Sequence, residues 1–237
     1  MNKRIIITGG NGQDAQILAR KIKSYKVNIL IHKKHSSFLN NKNINYNKIN
    51  LTSYLEVYNQ IKKIKPYAII HLASSNNTAN NKKLLFKTHY KKNFLMTKNL
   101  LNAVVFLDKR IKFIFAGSSQ MFRKKIGIVN EKSTFEANCH YSKYKIDSHK
   151  LLINYKKNFK LNAATAILFN HDSIFRDKKF LFPRIISYLK KNNLKKLKEI
   201  YKSNIRGDFS HADDICNGLL QIIKLRNLPD KIILSSF

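Results

Sequence analysis

Thr8-Gly9-Gly10-Asn11-Gly12-Gln13-Asp14-Ala15 follows the apolar run Ile5-Ile6-Ile7 close to the N-terminus. The stretch reads as the end of a β-strand, a turn of the form G-x-x-G-x-x-A and the opening of a helix. Gly9 allows the tight turn, Gly12 lets the backbone approach a pyrophosphate, and Ala15 is small enough for the helix to pack on the strand. Phosphates at such a turn meet the positive end of the helix. The plain alternative is a strand-to-helix turn with no ligand. Its place after the first strand and before a helix favours the dinucleotide reading.

Working outward, short apolar runs alternate with amphipathic segments. Strands are expected at 4–8, 27–32, 67–73, 111–117, 161–168 and 231–236, and helices at 12–24, 53–64, 84–107, 140–157, 179–191 and 211–225. Strands separated by helices imply βαβ units. Nearly unbroken apolar strands imply a parallel sheet covered on both faces. The expected fold is α/β, a Rossmann doubly wound parallel sheet with a small, truncated substrate-side lobe. Residues 1–169 form the NADP-binding domain in this reading, 170–210 a partial substrate lobe, and 211–237 a return helix and strand.

The end of the second strand carries His32-Lys33-Lys34-His35-Ser36-Ser37. A free ribose 2′-hydroxyl usually meets Asp or Glu at this point. Cations and hydroxyls suit a 2′-phosphate instead, so Lys33, Lys34 and Ser36 favour NADP over NAD. In a chain this rich in lysine, two more can also be incidental.

Tyr141-Ser142-Lys143-Tyr144-Lys145 contains Y-x-x-x-K. At i and i+4, Tyr141 and Lys145 share one helix face. Free tyrosine titrates near about 10. A nearby ammonium favours the phenolate and makes Tyr141 a usable base. Upstream, strand 111–117 runs into Ser118-Ser119-Gln120, where a hydroxyl can bond the same substrate oxygen. Y-x-x-x-K alone is weak evidence here. Its pairing with the serines and the glycine turn is specific.

The chain has 237 residues, 43% of them hydrophobic, enough for a sizeable core. No apolar run approaches the roughly 20 residues of a membrane helix. The N-terminus passes directly into the first strand without signal-peptide character. Cys139 and Cys216 form no metal or redox motif, so no metal is expected and a reducing cytoplasm is the expected location. The 46 Lys and Arg against 13 Asp and Glu give a net charge of +33. Such a charge would attract nucleic-acid phosphates. The lysines, however, are spread through every segment, as a very AT-rich gene would produce, so a nucleic-acid partner is not expected. A positive field does help to recruit an anionic sugar nucleotide.

In chain order, these landmarks resemble the GDP-mannose 4,6-dehydratase family of the extended short-chain dehydrogenases/reductases (the NAD-dependent epimerase/dehydratase group). Thr8 to Asp14 is similar to the family's T-G-x-x-G-Q-D turn, with Ala15 in place of glycine. Lys33-Lys34-His35-Ser36 is similar to R-R-S-S, and His71-Leu72-Ala73-Ser74 to N-L-A/G-A. Asn93 to Ala103 is similar to N-x-x-G-T-x-N-L-L-x-A, Ile167 to Ser173 to I-L-F-N-H-E-S, and Asp208 to Ala212 to D-W-G-H-A.

The resemblance implies that Ser118, Tyr141 and Lys145 are catalytic. It implies that Gly9, Gly12, Gln13, Asp14, Leu72, Ala73, Tyr141, Lys145 and Arg176 bind cofactor, and that Ser118, Asn170 and Arg206 bind substrate. Arg176 matches the second arginine of the family's R-R-G segment; Phe175 replaces the first. The family converts GDP-mannose to GDP-4-keto-6-deoxymannose with NADP. Gln120 stands where its dehydratases carry the glutamate that removes the C5 proton, and the family continues well beyond the point where this sequence stops. Weak capture of GDP-mannose is the expectation that follows. A homodimer or homotetramer joined through helices 84–107 and 140–157 is also implied, with Leu84, Leu85, Leu95, Leu100 and Leu101 as apolar candidates. Two rivals remain open. One is a 4-keto-6-deoxy sugar-nucleotide reductase or nucleotide-sugar epimerase, neither of which needs the glutamate. The other is a non-catalytic NADP-binding remnant.

Overall fold

The computed structural model describes residues 3–32, 41–75, 83–122 and 127–236. Lys33, Lys34, His35 and Ser36 lie outside the described residues, as do the side chains of Leu84 and Leu85. The strands are β1 (Arg4–Thr8), β2 (Lys26–Ile31), β3 (Ile44–Lys48), β4 (Ala68–His71), β5 (Lys112–Ala116), β6 (Ala163–Leu168), β7 (Asn170–Asp172), β8 (Phe209–His211) and β9 (Lys231–Leu234). The helices are α1 (Gln13–Lys21), α2 (Tyr54–Ile64), α3 (Lys83–Leu107), α4 (His140–Phe159), α5 (Leu181–Lys190), α6 (Leu194–Lys202) and α7 (Ala212–Lys224).

Among the described residues, seven strands form one sheet in the order β3-β2-β1-β4-β5-β6-β9. Every pairing in it is parallel. The first six positions follow the doubly wound dinucleotide-binding order. Strand alternation splits the core between the two faces. Ile5 and Ile7 pack toward α1 and α7, while Ile6 packs toward α2, α3 and α4. Burying one such side chain contributes about 1.5–3 kcal/mol, which is why the strands read as continuous apolar runs.

Local chemistry ends the helices. Ser53 caps α2 by accepting from the Glu56 N–H, and Lys65 closes it in the left-handed region at φ 50°. The C-terminus of α7 is met by a buried cation. Lys112 Nζ donates to the carbonyls of Ile223 (2.8 Å) and Leu225 (2.7 Å) and to the Tyr67 hydroxyl (2.6 Å).

Four elements escaped the sequence reading: β3, β7, β8 and α6. β3 is an edge strand, and its Asn45 and Asn47 replace the apolar run of an inner strand. β7 and β8 are three residues each and pair only with one another. α6 is lysine-rich and, like α5, buries no residue. The excursion between β6 and α7 therefore consists of the β7–β8 pair and these two helices. Leu100 and Leu101 are fully buried in the core, whereas Leu95 on the same helix is 40% exposed.

Candidate active site

The sheet order reverses between β1 and β4, and ligands of doubly wound sheets bind at such a point beyond the strand carboxyl ends. Gly9 sits there at φ +80°, and a Cβ on it would lie 2.9 Å from the Ala73 Cα. Both facts require glycine. Gly12 caps α1 with no side-chain hydrogen bond, leaving the helix N-terminus open to an anion.

A buried relay holds the two strand ends together. The Ala73 N–H donates to Thr8 Oγ1 (3.0 Å); because Thr97 gives its hydroxyl proton to the Asn93 carbonyl, neutral His71 must donate from Nε2 and so accepts the Thr8 hydroxyl proton at Nδ1 (2.8 Å). His71 Nε2 then donates to Thr97 Oγ1 (3.1 Å), which donates to the Asn93 carbonyl (3.2 Å). Every proton is placed with His71 neutral. Burial, aided by the charge of Lys145, lowers its pKa to about 3. Asn93 also clamps Ser75 by accepting from its N–H (2.7 Å) and donating to its carbonyl (3.2 Å).

Helix α4 presents the Y-x-x-x-K pair. Lys145 is 3% exposed, and its Nζ donates to the Ala116 carbonyl at 2.6 Å. The same nitrogen lies 5.7 Å from the Tyr141 ring centre and 5.2 Å from that of Tyr144. Burial lowers its pKa to about 7, against an upward pull from Asp14. Tyr144 packs edge-on against Tyr141 with centroids 5.4 Å apart, and its hydroxyl is 2.6 Å from Ser74 Oγ. Burial, with the nearby Tyr141, raises the Tyr144 phenol well above its usual range. Of the two tyrosines, Tyr144 is thus held as a phenol.

Ser118 follows β5 and caps a short 3₁₀ turn, its Oγ accepting from the Gln120 N–H at 3.3 Å. Gln120 is exposed, and its Oε1 accepts from the Cys139 thiol at 3.8 Å. Cys139 is the N-cap of α4. Gly9, Gly12, Ser118, Gln120, Tyr141, Lys145 and Asn170 all line one cavity of about 1110 Å³.

The remaining expected residues divide. Leu72 and Arg176 line the cavity. Arg176 meets Asp172 at 3.0 Å and stacks its guanidinium 3.7 Å from the Phe180 ring centre. Ala73 packs behind Gly9. The Gln13 side chain turns to the excursion, donating to the His171 carbonyl (3.0 Å) and accepting from Ser173 (3.0 Å). Asp14 pairs with His171 at 3.0 Å. Arg206 is exposed, bonds Asn204 at 3.3 Å and is not among the cavity-lining residues. Lys33, Lys34 and Ser36 are outside the described residues. His171, Tyr144 and Ser74 received no role from the sequence. The signals present were a histidine and an acid in two separated motifs, and a second tyrosine beside Tyr141. Among the described residues, no cluster suits a metal ion and no helix is long and apolar enough to cross a membrane.

The strand order, the glycine turn and the Tyr141–Lys145 face define a short-chain dehydrogenase/reductase of the extended, epimerase/dehydratase type. The family model described as GDP-mannose 4,6 dehydratase matches residues 6–236, and the chain belongs to that family. GDP-mannose 4,6 dehydratase 2 of Caenorhabditis elegans is 26% identical, over 99% of this chain and 66% of the relative. GDP-mannose 4,6 dehydratase 2 of Arabidopsis thaliana is 25% identical, over 98% of this chain and 67% of the relative. The chain spans about two thirds of the length of these curated relatives. Among solved structures, the NAD-dependent NDP-hexosamine 5,6-dehydratase TunA has a TM-score of 0.83 at 17% identity, over 99% of this chain and 76% of that one. The dTDP-glucose 4,6-dehydratase of Bacillus anthracis, in complex with NAD, has a TM-score of 0.81 at 16% identity, over 98% of this chain and 75% of that one. At these identities the likeness is one of fold.

Proposed function

We propose that the chain binds NADP at the β1–α1 turn and acts on a sugar nucleotide, with GDP-mannose as substrate and GDP-4-keto-6-deoxymannose as product. The observation that carries this reading is that the glycine turn and the Tyr141–Lys145 face line one cavity. The residues fit a dinucleotide. Gly9 lies against the β4 end where a Cβ would clash, and α1 opens on a glycine with no side-chain cap. Gly9, Gly12 and the α1 N-terminus would hold the phosphates, and Lys33, Lys34 and Ser36 the 2′-phosphate. Arg176 and Lys145 would complete the cofactor side. A bound nicotinamide supplies the hydride acceptor and donor.

The chain's own groups do the rest. The ammonium form of Lys145 stabilises the Tyr141 phenolate, which takes the proton of the sugar 4-hydroxyl. Ser118 Oγ donates to the same oxygen, and Asn170 orients the substrate diphosphate. Loss of water across C5–C6 needs a base for the C5 proton, and the Gln120 amide has no useful basicity. Gln120 therefore favours a second reading, a reductase or epimerase, which needs no such base. Assembly through α3 and α4 belongs to the first reading, and the exposed Leu95 and Phe106 (73%) support it. Light scattering at tens of micromolar tests the assembly. Incubation with NADP⁺ and GDP-mannose, followed by mass spectrometry, tests the activity. A dehydrated 4-keto product supports the dehydratase, and a product isomeric with the substrate supports the epimerase.

A further inference from the structure

His171 opens the excursion beside Asn170, and its ring contacts two acceptors. Nδ1 lies 2.6 Å from the Phe169 carbonyl oxygen, which can only accept, so Nδ1 carries a proton. Nε2 lies 3.0 and 3.1 Å from the two oxygens of the Asp14 carboxylate, so it carries one as well. An imidazole that donates from both nitrogens is an imidazolium.

Asp14 is the second residue of α1 and lines the cavity together with Gly9 and Gly12. A bare carboxylate there would compete with a pyrophosphate for the helix N-terminus and repel it. We infer that His171 is held as a cation which cancels the charge of Asp14, making His171 a positioning residue for the dinucleotide phosphates. The inference rests on the proposed cofactor reading and extends it. The clasp also joins two regions of the site, because Gln13 holds the His171 carbonyl and Ser173. The turn that would grip the cofactor is thereby tied to the segment carrying Asn170.

The surroundings of His171 are charged. Asp14 faces it from α1. On its own segment, Asp172 and Arg176 form a neighbouring ion pair at 3.0 Å. From α7, the Cys216 thiol donates to the Asp14 carbonyl at 3.6 Å. Lys145 of α4 interacts with Asp14 through its charge. Burial pulls the imidazolium down, but the hydrogen bond and charge of Asp14, with the Phe169 carbonyl, outweigh burial and the repulsion of Arg176, so its pKa is raised.

The test measures dissociation constants for NADPH and NADH between about pH 6 and 9 in the wild type, His171→Gln, Asp14→Asn and the double variant. NADH lacks the 2′-phosphate, so that group's ionisation is not mistaken for His171. Wild-type affinity should fall as pH rises through the titration of His171. His171→Gln should bind roughly tenfold or more weakly at neutral pH, as an uncompensated nearby charge implies. It should keep only the pH dependence that Lys145 imposes. Asp14→Asn/His171→Gln should recover most of the affinity. The same pH profile in wild type and His171→Gln, with no recovery in the double variant, would overturn the inference. A wild type that binds neither nucleotide at any pH defeats the cofactor reading instead. Nitrogen chemical shifts of the free wild type then decide the clasp. Two protonated ring nitrogens on His171 at pH 7 support it, and one overturns it.

Discussion

Lys145 Nζ donates to the main-chain carbonyl of Ala116 across 2.6 Å, so the end of β5 holds the cation of α4 in place beneath Tyr141. This bond does not relieve the cost of burial, and the pKa falls from 10.5 to about 7. Below about pH 7 both folded and unfolded chains carry the proton and the fold bears the full cost. From pH 7 to 10.5 the folded lysine sheds its proton while the unfolded one keeps it, so the cost shrinks as pH rises. Lys145→Met, which removes the buried charge, should therefore gain most on the wild type near and below pH 7. The advantage should shrink toward pH 10, read as midpoints in urea across pH. A constant difference would show that Lys145 does not titrate in this window.

Tyr141→Phe and Tyr144→Phe should separate the two rings. Tyr141→Phe removes the proposed base and should lower turnover by about 10²–10⁴-fold with cofactor affinity little changed. Tyr144→Phe removes the hydroxyl bonded to Ser74 and should cost about 0.5–1.5 kcal/mol of stability with a much smaller loss of rate. Single-turnover rates and denaturant midpoints distinguish the two. Equal losses of rate would mean that the hydroxyls act as a unit.

Gln120→Glu should supply the C5 base that the proposed dehydratase reading requires. Dehydration of GDP-mannose by the wild type is expected to be slower by about 10²–10⁴-fold than in the glutamate variant. Cofactor affinity should not change. Formation of the 4-keto product under single-turnover conditions reads both rates. Brisk dehydration by the wild type would instead point to another base, such as His140 beside Tyr141.

NADP(H) should bind more tightly than NAD(H). Each charge-assisted contact from Lys33 or Lys34 to a 2′-phosphate is worth about 1.5–3 kcal/mol. Lys33→Ala/Lys34→Ala should bring the two affinities together. Equal affinities in the wild type, measured by titration, would refute the preference.

The inner sheet was legible because its strands are apolar on both faces, as in Ile5-Ile6-Ile7 and Phe113-Ile114-Phe115. Tyr141 and Lys145 were legible because four-residue spacing fixes a shared helix face before any tertiary contact is known. β3 was not, since an edge strand needs only one covered side and tolerates Asn45 and Asn47. The role of His171 was also hidden. Its partner Asp14 lies 157 residues away, and no local periodicity reports a contact at that separation. Tyr144 stood in plain view, but the spacing rule gave it no role, because its value depends on burial and on Ser74.

β9 pairs directly with β6, although the chain between them makes the whole β7–β8 and α5–α6 excursion. The sheet closes as though that segment were absent, with Leu168 opposite Leu234. Such an arrangement uncouples two kinds of change. The interior of the sheet is locked by its register, while the excursion is free to lengthen, shorten or exchange residues without shifting a single sheet partner. Residue changes there would be felt first at the points where the segment is tied to its surroundings: Gln13 and Asp14 of α1 at its first turn, Arg20 against the Phe175 ring, and Ser236 beyond β9, held by the Asp208 carboxylate.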